Sequence, residues 1–191
     1  MHGGPEAQER AIFNAANQYY LQAGYAIFAP NVRGSTGYGF AFRNGNLADW
    51  WTKEDADAFT ARAAKLVDQF NGYEVLPGLK VNGAQTLGEN IGDLGGVAIA
   101  YEALQRSLKG KERKLIDGLT PEQRFFIAWA QVWRTKYRED ALRRYVASDV
   151  HSPGTVRAIG PLVNLPEFFE AFGIKEGDKM WVAPEKRSHI W

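Results

Sequence analysis

Thr86-Leu87-Gly88-Glu89-Asn90-Ile91-Gly92-Asp93-Leu94-Gly95-Gly96, followed by VAIAYEALQRSL over residues 97–108, is the stretch whose reading decides the fold. Leu87, Ile91, Leu94, Ala98 and Tyr101 recur at helical spacing and keep one apolar face, which predicts one continuous helix over residues 86–108. Each interior glycine costs about 1 kcal/mol relative to alanine. Gly88, Gly92, Gly95 and Gly96 therefore need an offsetting gain, and close approach of a neighbouring element is the expected one. Glu89 and Asp93 are four apart and stack on one side of this helix. Like charges at that spacing repel by about 0.2–0.5 kcal/mol. Two readings stay open on spacing alone: a solvated acidic face, or a metal ligand Glu89 with Asp93 as the acceptor that orients an imidazole ligand.

Working outward, Phe59, Ala63, Leu66 and Phe70 follow Thr52 at spacings of four, three and four, which predicts a helix with Asp55 as capping partner. Thr120-Pro121-Glu122-Gln123 combines a capping threonine, proline at the first helical position and glutamine at the third. The aromatic stripe Phe125, Phe126, Trp129 and Trp133 that follows reads as core packing. Leu142, Tyr145 and Val146 continue helix up to Asp149, and residues 166–172 form another, closed by Gly173.

The first forty residues differ in character. Residues 14–23 suit a short helix ended by Gly24, residues 25–29 a buried strand stopped by Pro30, and NVRGSTGYG a glycine-rich loop. The expected organisation is an N-terminal α/β segment, residues 1–44, followed by a helical domain, residues 45–191. The fold class expected is mainly α.

The chain of 191 residues has no cysteine and three histidines, His2, His151 and His189. Disulfides, thiolate nucleophiles, iron–sulfur clusters and cysteine zinc sites are excluded. No two histidines are four apart, so the helical zinc motif H-E-x-x-H is absent. With 23 basic against 22 acidic residues there is no net field to recruit nucleic acid or an anionic membrane. The basic cluster Lys109, Lys111, Arg113, Lys114 reads as a solvated loop. No apolar stretch approaches the ~20 residues of a membrane span, and MHGGPEAQER lacks the pattern of a signal peptide.

From about Gly45 onward the sequence resembles the C-terminal part of the catalytic domain of the neprilysin family of zinc metallopeptidases. The resemblance is carried by Gly45-Asn46-Leu47-Ala48-Asp49-Trp50-Trp51-Thr52, Asn82-Gly83, the Thr86–Gly96 stretch and Phe125-Phe126. It continues in Ala130-Gln131-Val132-Trp133, Asp149-Val150-His151-Ser152-Pro153-Gly154, Arg157 and Trp191. It implies a helical, thermolysin-like catalytic-domain fragment acting on peptide substrates with zinc as cofactor. By that resemblance Glu89 is a zinc ligand and Asp93 the acid that orients a zinc-bound histidine. His151 stabilises the oxyanion formed at a peptide carbonyl, Asp149 orients or charges that imidazole, and Arg157 binds a substrate carbonyl. The family is mostly secreted or displayed outside the cytoplasm. Three departures stand out: the H-E-x-x-H helix is missing, Gly92 replaces the usual alanine, and Ser188 replaces a cysteine common near the C-terminus. Completing a metal site would require other ligands, such as His2 or His189 joining Glu89 and His151.

Residues 2–39 resemble the opening of the hydrolase domain of the prolyl oligopeptidase family, through His2-Gly3-Gly4-Pro5, Gly24-Tyr25-Ala26, Pro30-Asn31 and residues 33–39, RGSTGYG. The nucleophile elbow G-x-S-x-G does not occur, so serine peptidase activity is the weakest expectation. The chain thus reads as a splice of two hydrolase fragments. The leading functional expectation is zinc-dependent peptide hydrolysis; its rival is a non-enzymatic helical domain that binds peptides or a partner and self-associates through the glycine helix.

Overall fold

A computed structural model describes Gln18, Leu21, Gln22 and residues 52–189. Gln18, Leu21 and Gln22 are helical, within the helix expected over residues 14–23. The strand expected at 25–29, the loop after it, His2, the motif Gly45–Trp51 and Trp191 lie outside the described residues. The chain divides into two compact units, Met1–Thr52 and Lys53–Trp191, and the second carries the elements below.

The second unit is mostly helical. Helix α1 spans Lys53–Asn71 and buries Ala63, Leu66 and Phe70, three of the four residues whose spacing predicted it. It leads into a small antiparallel hairpin, β1 (Glu74–Leu76) and β2 (Leu79–Lys80), which the sequence reading did not anticipate. Gly78 turns this hairpin at φ 74°, a conformation glycine adopts without steric cost. Helix α2 spans Leu87–Leu108 without interruption, as the apolar periodicity predicts.

The glycines of α2 do not behave as expected. Gly95 is buried, but Gly88, Gly92 and Gly96 lie on an exposed face, where an added Cβ would meet no atom within 4 Å. At about 100° per residue, positions 88, 92 and 96 form a stripe turned well away from Leu87, Ile91 and Leu94. Gly95 is thus covered, while Gly88, Gly92 and Gly96 are unexplained by contacts within this unit.

Helix α3, Pro121–Val132, starts with the full reciprocal capping box: Gln123 N–H donates to Thr120 Oγ1 at 3.1 Å, and Thr120 N–H donates to Gln123 Oε1 at 3.0 Å. Phe126 is its buried centre, stacked on Tyr101 at 5.2 Å and edge-on to Phe168 at 5.3 Å. The aromatic stripe is core packing there and only partly buried at Phe125 and Trp129. Helix α4, Glu139–Ser148, is a separate element, so helix does not run on through 133–138. The segment between the two helices packs closely on Gly154, where a Cβ would sit 2.7 Å from Trp133 O.

Short helices complete the unit: α5 (Gly154–Arg157), a 3-10 turn (Leu162–Asn164), α6 (Pro166–Phe172) and a final 3-10 turn (Pro184–Lys186). Gly173 closes α6 in the left-handed conformation at φ 62°, as predicted. The core lies where α1 meets α2 and α3 meets α6, around Leu66, Phe70, Leu94, Val97, Phe126 and Phe168. Ser188 is buried here, donating its N–H to Asn164 Oδ1 at 2.7 Å and its hydroxyl to Arg62 O at 3.0 Å. Hydrogen bonds thus hold the C-terminal segment at the position where the resemblance expects a cysteine.

Candidate functional site

The five residues singled out in the sequence come together along one side of α2. Glu89 and Asp93 project from its first two turns, and the chain from Asp149 to Arg157 passes beside them. Glu89 Oε2 lies 3.0 Å from His151 Nε2, and the other ring nitrogen, Nδ1, lies 2.7 Å from Asp149 Oδ1. The Asp149 carboxylate also accepts the backbone N–H of His151 at 2.8 Å. This backbone bond, then the imidazole, holds the Asp149 carboxyl below the usual range. Asp149 thus contacts the ring at Nδ1 while Nε2 faces Glu89.

Asp93 has a different partner from the imidazole expected for it. Arg157 Nε and Nη2 each donate to it at 2.7 Å, a bidentate pair whose side chains are only 14% and 10% exposed for Arg157 and Asp93. Burial alone would lower the guanidinium pKa, but the bonds from Asp93 outweigh it and raise it, so Arg157 stays charged. The indole of Trp133 supports the guanidinium from below, with Cζ 3.9 Å from the ring centroid. Trp129 Nε1 donates to Arg157 O at 3.1 Å and fixes the backbone. Two of the five guanidinium N–H groups are engaged by Asp93, and the other three have no partner among the described residues.

Sequence reasoning missed several contributors. Asn90 and Ser152 are bonded to one another at 2.8 Å and are each 1% exposed. Trp133, read from the sequence as core packing, carries Arg157, and its own Nε1 is buried without a hydrogen-bond partner among the described residues. The Tyr145 hydroxyl is pushed up to about 12 by burial and by the negative Asp149. Asn90 was findable: at 100° per residue it falls on the buried side of α2, where a polar residue needs a partner. The glycine stripe also gains a meaning beside the site. Gly88 and Gly92 precede and follow Glu89 on its outer flank, so no side chain from that flank covers the carboxylate, which is 43% exposed.

The described residues do not fit a zinc ion. A catalytic zinc takes three protein ligands and a water, and among the described residues no group of three or more His, Asp or Glu side chains is placed to hold one. His189 is not available to Glu89. It lines a cavity with Ala98, Tyr101, Glu102 and Glu167, and the nearest of these on α2, Ala98, is nine positions from Glu89, about 13 Å at the helical rise. His2 lies outside the described residues. Within them, no helix is long and apolar enough to cross a membrane.

Comparison with known proteins gives this geometry a family. The sequence profile of Peptidase family M13 matches residues 36–188. Neprilysin-2 of Drosophila melanogaster is 38% identical over 189 residues, covering 94% of this chain and 24% of its own length. Human neprilysin is 40% identical over 154 residues, covering 78% of this chain and 20% of its own length. The crystal structure of Mycobacterium tuberculosis zinc metalloprotease Zmp1 in complex with inhibitor superposes with a TM-score of 0.73 at 45% identity, covering 78% of this chain and 23% of that one. The chain therefore spans about a fifth to a quarter of the relatives it matches. The profile begins at Thr36, inside the segment whose wording resembles prolyl oligopeptidase, and the fly relative aligns with most of residues 1–44 as well; these matches give the serine-peptidase likeness no support. On its helical fold, its ordered motifs and these matches, the chain belongs to peptidase family M13.

Proposed function

We propose that this chain carries the peptide-carbonyl-binding part of an M13 active site, serving zinc-dependent peptide hydrolysis. The observation that supports this most directly is the pairing of each donor with its own acid: Asp149 orients His151, and Asp93 orients Arg157. A peptide carbonyl is neutral in the ground state and gains negative charge on attack, so preorganised donors bind the second state more strongly than the first. Arg157, charged and held as a rigid fork, binds the carbonyl of a neighbouring substrate residue and sets register. His151 offers an N–H to the oxygen that becomes an oxyanion. Glu89 is the carboxylate this part contributes to the metal, whose imidazole ligands the described residues do not supply.

A second reading is favoured by one observation, the lack of a three-ligand cluster among the described residues. In it, the same donors bind peptides without cleaving them, and the exposed face of Gly88, Gly92 and Gly96 lets two copies associate. Zinc titration followed by mass spectrometry, with a peptide-cleavage assay, separates the readings. Stoichiometric zinc and chelator-sensitive cleavage, both lost in Glu89→Gln, support hydrolysis. In that case His151→Ala lowers kcat/KM about 10²–10³-fold, the cost of removing one oxyanion donor. Zinc content unchanged in Glu89→Gln sinks the role given to Glu89. Peptide binding that depends on Arg157, with no zinc and a dimer by sedimentation, supports the second reading.

A further inference from the structure

Glu89 is followed by Asn90 on α2, and His151 is followed by Ser152 on the passing segment, so the Glu89–His151 contact has a second rung directly beside it. In that rung Ser152 Oγ donates to Asn90 Oδ1 at 2.8 Å. The outer rung is about two-fifths exposed, whereas Asn90 and Ser152 are each 1% exposed. We propose that Asn90 and Ser152 are positioning residues, a buried joint that holds the His151 imidazole at the Glu89 carboxylate. The proposal rests on the reading of His151 as the oxyanion donor.

Three contacts tie the segment 149–153 to α2 and the turn before it. The first is the outer rung, and an exposed pair of this kind is screened by water and salt and fixes geometry weakly. The second runs from Gln85 Nε2 to Asp149 O at 2.7 Å, from a half-buried side chain outside the helix. The third is the Ser152–Asn90 bond, the one made between two fully buried groups. Asp149 orients the ring but belongs to the same segment, so it moves with His151 and cannot set its distance to α2.

The buried rung also has a defined direction. Thr86 Oγ1 donates to Asn82 O at 3.0 Å, which leaves only its lone pairs for Asn90. Asn90 Nδ2 must therefore be the donor to Thr86, at 2.9 Å, and Oδ1 is turned toward Ser152. A flipped amide would set acceptor against acceptor at Thr86, whose hydroxyl proton is already given to Asn82 O. Asn90 thus has one satisfied orientation, and it is the one that receives Ser152. Because breaking the rung leaves a buried amide oxygen unpaired, the joint resists opening in a way the outer rung does not.

The test reads ring position in the full chain by NMR, as the Overhauser cross-peak between the His151 ring protons and the Glu89 side-chain methylene. Ser152→Ala is expected to lose this cross-peak. Asn164→Ala, which breaks a buried hydrogen-bond cluster with Gln69 and Ser188 away from the site, is expected to lower the melting temperature and keep it. A cross-peak that survives in Ser152→Ala overturns the proposal, and so does its loss in both variants, which would mark general loosening. Should Ser152→Ala fail to fold, Ser152→Cys keeps the shape with a weak donor. A weakened cross-peak there supports the joint, and an unchanged one overturns it. Failure of the hydrolysis reading shows as absent zinc and cleavage and leaves this cross-peak untouched, so the two outcomes are distinct.

Discussion

Asp93 and Glu89 stand one turn apart on α2, and each meets a basic side chain from the segment 149–157, yet the two contacts differ in kind. Asp93 and Arg157 share two bonds of 2.7 Å beside the Trp133 indole and are at most 14% exposed. Glu89 and His151 share one contact of 3.0 Å at about two-fifths exposure. A desolvated pair is costly to break from one side, while an exposed pair exchanges easily with water or a ligand. Burial therefore separates the two: the inner contact is shielded from water, and the outer one leaves its groups open to solvent.

The largest test of that division is Asp93→Ala, which leaves the Arg157 guanidinium buried without its partner. We expect a loss of about 3–5 kcal/mol of stability in urea unfolding, and a loss below about 1 kcal/mol, the range of an exposed pair, would erase the contrast. Next comes the bare flank beside Glu89. Gly92→Ala is expected to stabilise the fold by up to about 1 kcal/mol in thermal unfolding, since the new methyl meets nothing. Gly160→Ala is the opposite control, because a Cβ there would lie 2.6 Å from the Phe70 ring and must destabilise. Glu89→Gln is expected to move stability by only about 0–1 kcal/mol, so a loss as large as that of Asp93→Ala would show that the outer contact is structural too.

The smallest effects lie in pH dependence. The folded Asp149 carboxyl is held below its ordinary value, so its contribution is present above the unfolded value of about 3.9 and is lost as pH falls through the lower folded one. Asp149→Asn should remove that part of the acid sensitivity. Tyr145 has the opposite sense. Its pKa is raised from 10.0 to about 12, so its contribution is present below pH 10 and is lost as pH rises between those values. Tyr145→Phe should flatten the stability curve there, and phenolate absorbance appearing at its ordinary pH would contradict the burial of Tyr145 next to Asp149.

Much of the fold was legible in the residues. The capping box at Thr120, the apolar series on α1, the continuous α2 and the left-handed Gly173 are local patterns, written in residues within one or two turns of each other. The break between α3 and α4 was not legible, and the segment that makes it packs on Gly154, some twenty residues on. The hairpin at residues 74–80 escaped for a related reason, since two strands of three and two residues leave too little period to read. The glycines of α2 were read for the close approach they permit. Only the placement of the neighbours could tell that Gly95 is covered while Gly88, Gly92 and Gly96 are bare.

The candidate site divides along the same line. Glu89, Asp93, Asp149, His151 and Arg157 could be named from motif and spacing, and the missing pair of imidazoles four residues apart followed from counting three histidines. Those are statements about composition and order, which no folding can alter. The partners needed the tertiary structure: that Asp93 takes Arg157, that Trp133 lies beneath the guanidinium, and that Asn90 and Ser152 lock beneath Glu89 and His151. These contacts join residues about 60 positions apart or 24 apart across two helices. Their geometry depends on how α2 packs against the rest of the unit, and local sequence has no means to encode a distance it does not span.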